Sequence, residues 1–203
     1  MIFVLLLCLG VGLLNHYFTN EDLPSNIRKI DTTIRSIKYQ FYTDNGVFSK
    51  DGVDFGTRFL LETIPIIDFK GSTLDVGCGY GVIGITIAKE TKQHVVMSDV
   101  NKRALHLTKI NAEENNVAVD IIESDGYSNI EDLFDTIVTN PPIRAGKKVV
   151  YDIVMNAKNH LKSDGVLYII IRKEQGAKSM IRDLSNYYIV NVLGKKSNFF
   201  VLD

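Results

Sequence analysis

Leu74-Asp75-Val76-Gly77-Cys78-Gly79-Tyr80-Gly81 joins a short apolar run, Thr73 to Val76, to a helix-forming stretch, Val82 to Lys89. Glycines at alternate positions give the backbone conformations barred to other residues and let a ligand come close to the main chain. At the start of a helix the same turn presents amide N–H groups without helical partners, so a ligand with a polar or negative end is expected there. The frame of the glycines is open. Gly79-x-Gly81-x-x-Gly84 also satisfies a dinucleotide-binding spacing, and Asp99 lies about where that pattern needs its ribose-binding acid. A tight strand-to-helix turn that binds nothing is the plain alternative.

Downstream of Lys70-Gly71 strands and helices alternate, which is the pattern of right-handed βαβ units and a mostly parallel sheet. The strands read are Thr73 to Val76, His94 to Ser98, Val117 to Ile122, Asp135 to Thr139 and Gly165 to Ile171. The helices are Val82 to Lys89, Lys102 to Asn115, Val149 to Leu161 and Gly176 to Ser185, and the second of these spaces Ala104, Leu105, Thr108 and Ala112 along one face. At the end of the chain Tyr188 to Leu193 and Asn198 to Leu202 read as a hairpin turning at Gly194-Lys195-Lys196-Ser197, which adds an antiparallel edge.

In such a sheet the carboxyl ends of the strands form the binding rim. Asp99 closes the second strand and could accept both hydroxyls of a ribose. A helix N-cap is the other reading, although Asn101 serves that need as well. Ser124-Asp125-Gly126 closes the third strand, where Asp125 could accept an adenine amino group or simply belong to an Asp-Gly turn. The fourth strand stops at Asn140-Pro141-Pro142-Ile143. Two prolines donate no backbone hydrogen bond and fix φ, so the ladder ends there and Asn140 faces the crevice.

Upstream, Ile37, Tyr39 and Phe41 alternate with Lys38 and Gln40, and Asp44-Asn45-Gly46 is expected to turn this strand into Val47-Phe48-Ser49. Thr57 to Ile64 reads as a short helix closed by Pro65. Ile2 to Leu14 is almost continuously apolar, with no Lys or Arg before Arg28. That is short for a membrane span and lacks the basic start of an export signal. Residues 1–15 are therefore expected to be an extension outside the fold, arising from an upstream start. A helix packed on the domain and an export segment are the alternatives. The division expected is extension 1–15, hairpin and helix region 16–70, ligand-binding domain 71–203.

With 203 residues, 45% hydrophobic, the chain can bury one good core. A net charge of −1 argues against a general nucleic-acid coat and leaves room for local phosphate contacts at Arg28, Lys29, Arg35 and Lys38, at Arg144, Lys147 and Lys148, and at Lys195 and Lys196. Cys8 and Cys78 form neither a disulfide framework nor a metal pair, and His16, His94, His106 and His160 lack ligand spacing, so no metal is expected. The cytoplasm is the expected compartment, without stable membrane association.

Asp75-Val-Gly-Cys-Gly-Tyr-Gly81, Asp99, Asp125 and Asn140-Pro-Pro-Ile143, with Gly46-Val-Phe-Ser-Lys-Asp-Gly-Val-Asp-Phe-Gly-Thr57 upstream, together resemble class I S-adenosylmethionine-dependent methyltransferases. The likeness is to the small-methyltransferase-domain group similar to bacterial 16S rRNA guanine-N2 methyltransferases, and it runs from about Phe18 onward. It implies a Rossmann-like α/β fold with a mostly parallel seven-stranded sheet, whose last two strands are the tail hairpin, and a short N-terminal β/α region. It implies S-adenosylmethionine as cofactor, with Asp75, Gly77, Gly79 and Gly81 on the methionine side, Asp99 at the ribose, Asp125 at the adenine and Asn140 beside the methyl group. rRNA or the small ribosomal subunit is the implied partner. Those ribosomal enzymes often carry a further N-terminal domain and an aromatic residue after the two prolines. This chain has a short N-terminal region and Ile143.

Transfer from a sulfonium needs a nucleophile held on the S-methyl axis. A guanine exocyclic nitrogen is a poor one, because its lone pair is delocalised into the ring. If the Asn140 side-chain oxygen and the Asn140 or Pro141 carbonyl accept its two N–H bonds, the nitrogen pyramidalises and its developing charge meets fixed dipoles. Asn140, Pro141 and Pro142 are thus the catalytic candidates, with Ile143, Arg144 and Lys147 at the substrate entrance. The competing readings are methylation of a protein glutamine amide, an NAD-dependent oxidoreductase through the alternative glycine frame, and an RNA-binding module without turnover.

Overall fold

The computed structural model describes residues 23–142 and 145–203, so the apolar start and the positions of Ile143 and Arg144 lie outside the described residues. A two-stranded antiparallel ribbon, β1 (Arg28–Ile34) and β2 (Ile37–Thr43), opens the described chain and is followed by helix α1 (Phe55–Thr63). Then come β3 (Thr73–Val76), α2 (Val82–Thr91), β4 (Val95–Asp99), α3 (Lys102–Glu114), β5 (Asp120–Glu123) and β6 (Phe134–Thr139). Helix α4 (Lys147–Asn156), β7 (Leu161–Arg172), α5 (Ala177–Leu184), β8 (Val192–Lys196) and β9 (Phe199–Leu202) complete it.

The main sheet has seven strands in the order β5-β4-β3-β6-β7-β9-β8, parallel as far as β7 and antiparallel at β9 and β8. Period-2 alternation divides its residues between two cores. Tyr168 and Ile170 of β7 join Phe41, Leu60, Ile83, Ile85 and Met97 on one face. Leu167, Ile169 and Ile171 join Val150, Val154, Met180 and Leu184 of α4 and α5 on the other. Each fully buried Leu or Ile contributes about 1.5–3 kcal/mol, so both faces must be covered. The ribbon takes part in the first face through Ile34, Tyr39 and Phe41, all at most 1% exposed.

Two turns differ from the sequence expectation. The ribbon pairs β2 backward with β1, not forward with Val47 to Ser49, and turns at Arg35 and Ser36 with φ of 48° and 66°. Neither residue favours that region. Tertiary contacts hold them there: Arg35 pairs with Glu90 at 3.0 Å and donates to the Leu61 carbonyl at 3.1 Å. Asp44 of the expected turn instead gathers hydrogen bonds from the Ser25 hydroxyl and the Asn26 and Asn45 amides. In the tail the turn is Ser197-Asn198, with φ of 46° and 64°, while Gly194 to Lys196 belong to β8. A Cβ on Gly194 would lie 2.9 Å from Thr63 Cγ2, so this glycine marks close approach to α1 and not a turn.

Candidate active site

β3 and β6 are neighbours, yet β3 leads by α2 to β4 on one side and β6 leads by α4 to β7 on the other. Strand order reverses between them, and a crevice opens beyond their carboxyl ends. The glycine loop leaves β3 and Asn140-Pro141-Pro142 leaves β6, so the fold sets them on opposite lips of that crevice. Thr139 fastens the lips together: its hydroxyl, fully buried, donates to the Val76 carbonyl at 2.7 Å.

The loop hangs on β4. The amides of Gly77 and Cys78 donate to the Ser98 carbonyl at 2.8 and 2.9 Å. Gly79 N–H donates to Asp99 Oδ2 at 2.8 Å, and Asn111 Nδ2 holds the Tyr80 carbonyl at 2.8 Å. Two kinds of glycine result. At Gly81, φ 99°, a Cβ would meet Ile85 Cδ1 at 2.9 Å, so its bareness seats helix α2. At Gly79, φ 57°, a Cβ would find nothing within 4 Å, and Gly77 faces equally open space. Tyr80 covers the sheet, buried against Phe41.

The three acids take different positions. Asp75 is fully buried; Oδ2 accepts from Gly84 N–H at 2.8 Å and Oδ1 has no partner. Burial pushes its pKa up to about 7, against the opposing Gly84 bond and with help from the nearby Asp99 charge. Asp99 stands at the lip, half-buried, accepting from the Gly79 and Asn101 amides at 2.8 Å each. Desolvation raises its pKa despite those bonds. Helix α3 is capped by Asn101, whose side-chain oxygen accepts from Arg103 and Ala104 N–H, so capping is not the task of Asp99. A carboxylate offers about four acceptor sites, which leaves Asp99 capacity for a diol. Asp125 is exposed beside Gly126, and its carboxylate has no hydrogen bond among the described residues.

On the other lip Asn140 Nδ2 donates to the Thr57 hydroxyl of α1 at 2.9 Å, across 83 residues. Thr57 is itself fixed, since its amide donates to the N-cap carboxylate of Asp54 at 3.1 Å. One N–H of Nδ2 is engaged in this way, and the side-chain oxygen accepts no hydrogen bond among the described residues. The Pro142 carbonyl is taken by Ala145 N–H at 2.9 Å, whereas those of Asn140 and Pro141 accept no backbone hydrogen bond among the described residues. Pro141 is buried and Pro142 partly so. Lys147 begins α4 beyond this loop with its ammonium 5.0 Å from the centre of the Tyr151 ring. No group of metal-binding side chains and no helix long and apolar enough to cross a membrane occurs among the described residues.

Thr139 and Asn111 had no signal in the sequence, and Thr57 entered only as the last residue of the upstream segment Gly46 to Thr57, with no role attached. Each is an ordinary polar residue in an apolar stretch or on a helix face, and its role depends on what the fold brings opposite.

The sequence matches the Methyltransferase small domain over residues 38–203. The chain belongs to this family. It is 42% identical over 193 residues to the uncharacterized Bacillus subtilis protein YbxB, covering 92% of this chain and 96% of that one. It is 36% identical over 165 residues to ribosomal RNA small subunit methyltransferase C of Haemophilus influenzae (strain ATCC 51907 / DSM 11121 / KW20 / Rd), covering 79% of this chain and 49% of that enzyme. Among solved structures, the 16S rRNA N2 methyltransferase RsmC of T. thermophilus, in complex with AdoMet and guanosine, superposes with a TM-score of 0.78 at 26% identity. That likeness covers 89% of this chain and 50% of the other, so this small-domain methyltransferase spans about half the length of its rRNA-modifying relatives. S-adenosylmethionine is its cofactor. The crevice fits that group: open space lies over Gly77 and Gly79, and a carboxylate with acceptor sites to spare stands beside them.

Proposed function

We propose that this chain methylates the exocyclic N2 amine of a guanine in small-subunit rRNA. The observation that carries the reading is the Asn140 clamp, in which Thr57 takes the side-chain amide and leaves Oδ1 as an acceptor at the crevice. Bound on the glycine loop, S-adenosylmethionine supplies an electrophilic methyl group on sulfur. Gly77 and Gly79 give its methionine part room, Gly81 acts behind them by seating α2, Asp99 accepts from the ribose and Asp125 from the adenine. Asp75 acts from beneath, holding the first turn of α2 through Gly84.

Asn140 Oδ1 and the Asn140 or Pro141 carbonyl accept the two N–H bonds of the target amine. Both acceptors sit on a backbone that two prolines keep from relaxing, so little reorganisation accompanies the charge growing on nitrogen. Because acceptors that strengthen as that charge develops favour the transition state over the bound substrate, the clamp contributes to rate and not only to affinity. A hydride-transfer enzyme would need the same glycine loop but gives Asn140-Pro141-Pro142 no task. Ile143, Arg144 and Lys147 follow the clamp in sequence, and this reading assigns them to the substrate, with the two cations as phosphate partners. The RsmC relative with bound guanosine supports the choice of base.

Incubation with tritiated cofactor and small ribosomal subunits, naked rRNA or a peptide-release factor, followed by mapping of the label, tests this. Label on a guanine N2 is expected. Label on a glutamine of the protein substrate would transfer the clamp to amide chemistry and end the RNA reading.

A further inference from the structure

β7 runs three residues past the level where β6 stops, since Thr139 pairs with Ile169 and the strand continues to Arg172. Arg172 pairs with Phe199, and Phe199 with Lys196, so the end of β7 and the β8-β9 turn lie on the same rim of the sheet as the crevice, to the β6 side of it. A recess of about 370 Å³ opens there, lined by Lys173, Lys178, Lys195 and Lys196 around the Ser197-Asn198 turn. All four lysines are exposed, and none forms an ion pair among the described residues. The only carboxylate in the adjoining turn is the exposed Glu174. Four uncompensated cations around one recess cost mutual repulsion that a polyanion would relieve.

Aromatic rings accompany the charge. Phe55, 40% exposed, packs 5.3 Å from Phe199, with the Lys196 ammonium 5.9 Å from its ring centre. The recess is also tied to the clamp. Gly56 abuts the Phe199 ring, where a Cβ would come within 3.0 Å, and the next residue, Thr57, holds Asn140. In the sheet direction β6 and β9 are two strand spacings apart, about 10 Å. Cations with an exposed aromatic platform suit single-stranded nucleic acid, whose phosphates take the charge while a base stacks on the ring. An acidic peptide would satisfy the lysines but leave the Phe55 platform unused.

We propose that the recess bounded by Lys173, Lys178, Lys195 and Lys196 is a phosphate-binding site for the RNA strand flanking the target nucleotide, with Phe55 as a stacking platform. This rests on the RNA reading of the clamp. It assigns the tail hairpin a task in grip and orientation, separate from the chemistry at Asn140.

The test is binding of a fluorescein-labelled single-stranded RNA oligonucleotide as a function of salt, for the wild type and for Lys178→Ala/Lys195→Ala/Lys196→Ala. A matched control, Lys70→Ala/Lys92→Ala/Lys158→Ala, removes three cations from the opposite rim. At about 0.7 per phosphate contact, the recess variant is expected to lower the slope of log K against log salt by about two, with at least a tenfold loss of affinity at low salt. The control should bind nearly as the wild type does, and all three proteins should bind S-adenosylhomocysteine equally. Equal losses in the two triple variants, or none in either, would overturn the site while leaving the RNA reading intact. A wild type that binds cofactor but no RNA would overturn the RNA reading and the site with it. Displacement of the RNA by polyglutamate as readily as by unlabelled RNA would reassign the recess to acidic protein.

Discussion

The two lips of the crevice are built by different means. The glycine loop after β3 is largely local: its turn, its positive φ values and the helix it opens lie within residues 77–91, and its anchors come from the adjoining β4 and α3, through the Ser98 carbonyl, Asp99, Thr108 and Asn111. The Asn140 lip is assembled from a distance. Two prolines end the strand, but the side chain is aimed by Thr57, 83 residues earlier, on a helix that reaches the crevice only because the ribbon and α1 pack on the sheet. The loop's conformation is thus encoded mostly in one run of βαβ sequence, whereas the acceptor clamp depends on elements at opposite ends of the fold. Damage far from the chemistry should impair the second more than the first.

The sharpest difference in free energy lies beneath the loop. Asp75 has a folded pKa near 7 against an ordinary value near 4, so the folded state holds the proton more tightly than the unfolded state does. Its stabilising contribution is complete below pH 4 and declines as pH rises toward 7, by a few kcal/mol at about 1.4 kcal/mol per unit. In urea unfolding from pH 4 to 8, Asp75→Asn should lack this decline, whatever constant offset the substitution brings. Parallel profiles for variant and wild type would show that Asp75 does not titrate in that window.

Gly79→Val comes next. The added side chain fills open space and meets no protein atom at its Cβ, so the cost to stability should stay near 1–2 kcal/mol, from the positive φ. Cofactor affinity should fall at least a hundredfold, about 2.7 kcal/mol. Unchanged calorimetric binding of S-adenosylhomocysteine would remove the loop from the cofactor site.

Thr57→Val is expected to be milder and on the other side of the comparison. It deletes the hydroxyl that aims Asn140 and keeps the volume, so kcat should drop about tenfold, the worth of one neutral hydrogen bond. Cofactor affinity should hold and Thr57→Ser should recover most of the rate. A loss of cofactor affinity that parallels the rate would mean the lips are one unit.

The same contrast explains what the sequence disclosed. Strand, glycines and helix at residues 73–91 were legible because their signals are short-range, and the prolines marked the end of β6 for the same reason. The ribbon turn at Arg35-Ser36 was not, because its unfavourable φ values are imposed by Glu90 and the Leu61 carbonyl. The Asp44-Asn45-Gly46 signal was genuine turn chemistry used to close a loop. Gly194 misled likewise, as a contact glycine in place of a turn glycine. Among site residues Asp99 and Asn140 were visible as strand-end polar groups. Thr57 was not, since nothing in a helix sequence shows which hydroxyl will meet an asparagine from another strand.

The central claim is that Asn140 acts on the acceptor amine and not on the cofactor. It is tested by Asn140→Ala, with calorimetric affinity for S-adenosylhomocysteine and the single-turnover rate of methyl transfer to small-subunit rRNA measured on the same preparation. Unchanged affinity with a rate reduced about a hundredfold or more is the predicted result. A variant that transfers methyl at the wild-type rate would contradict it.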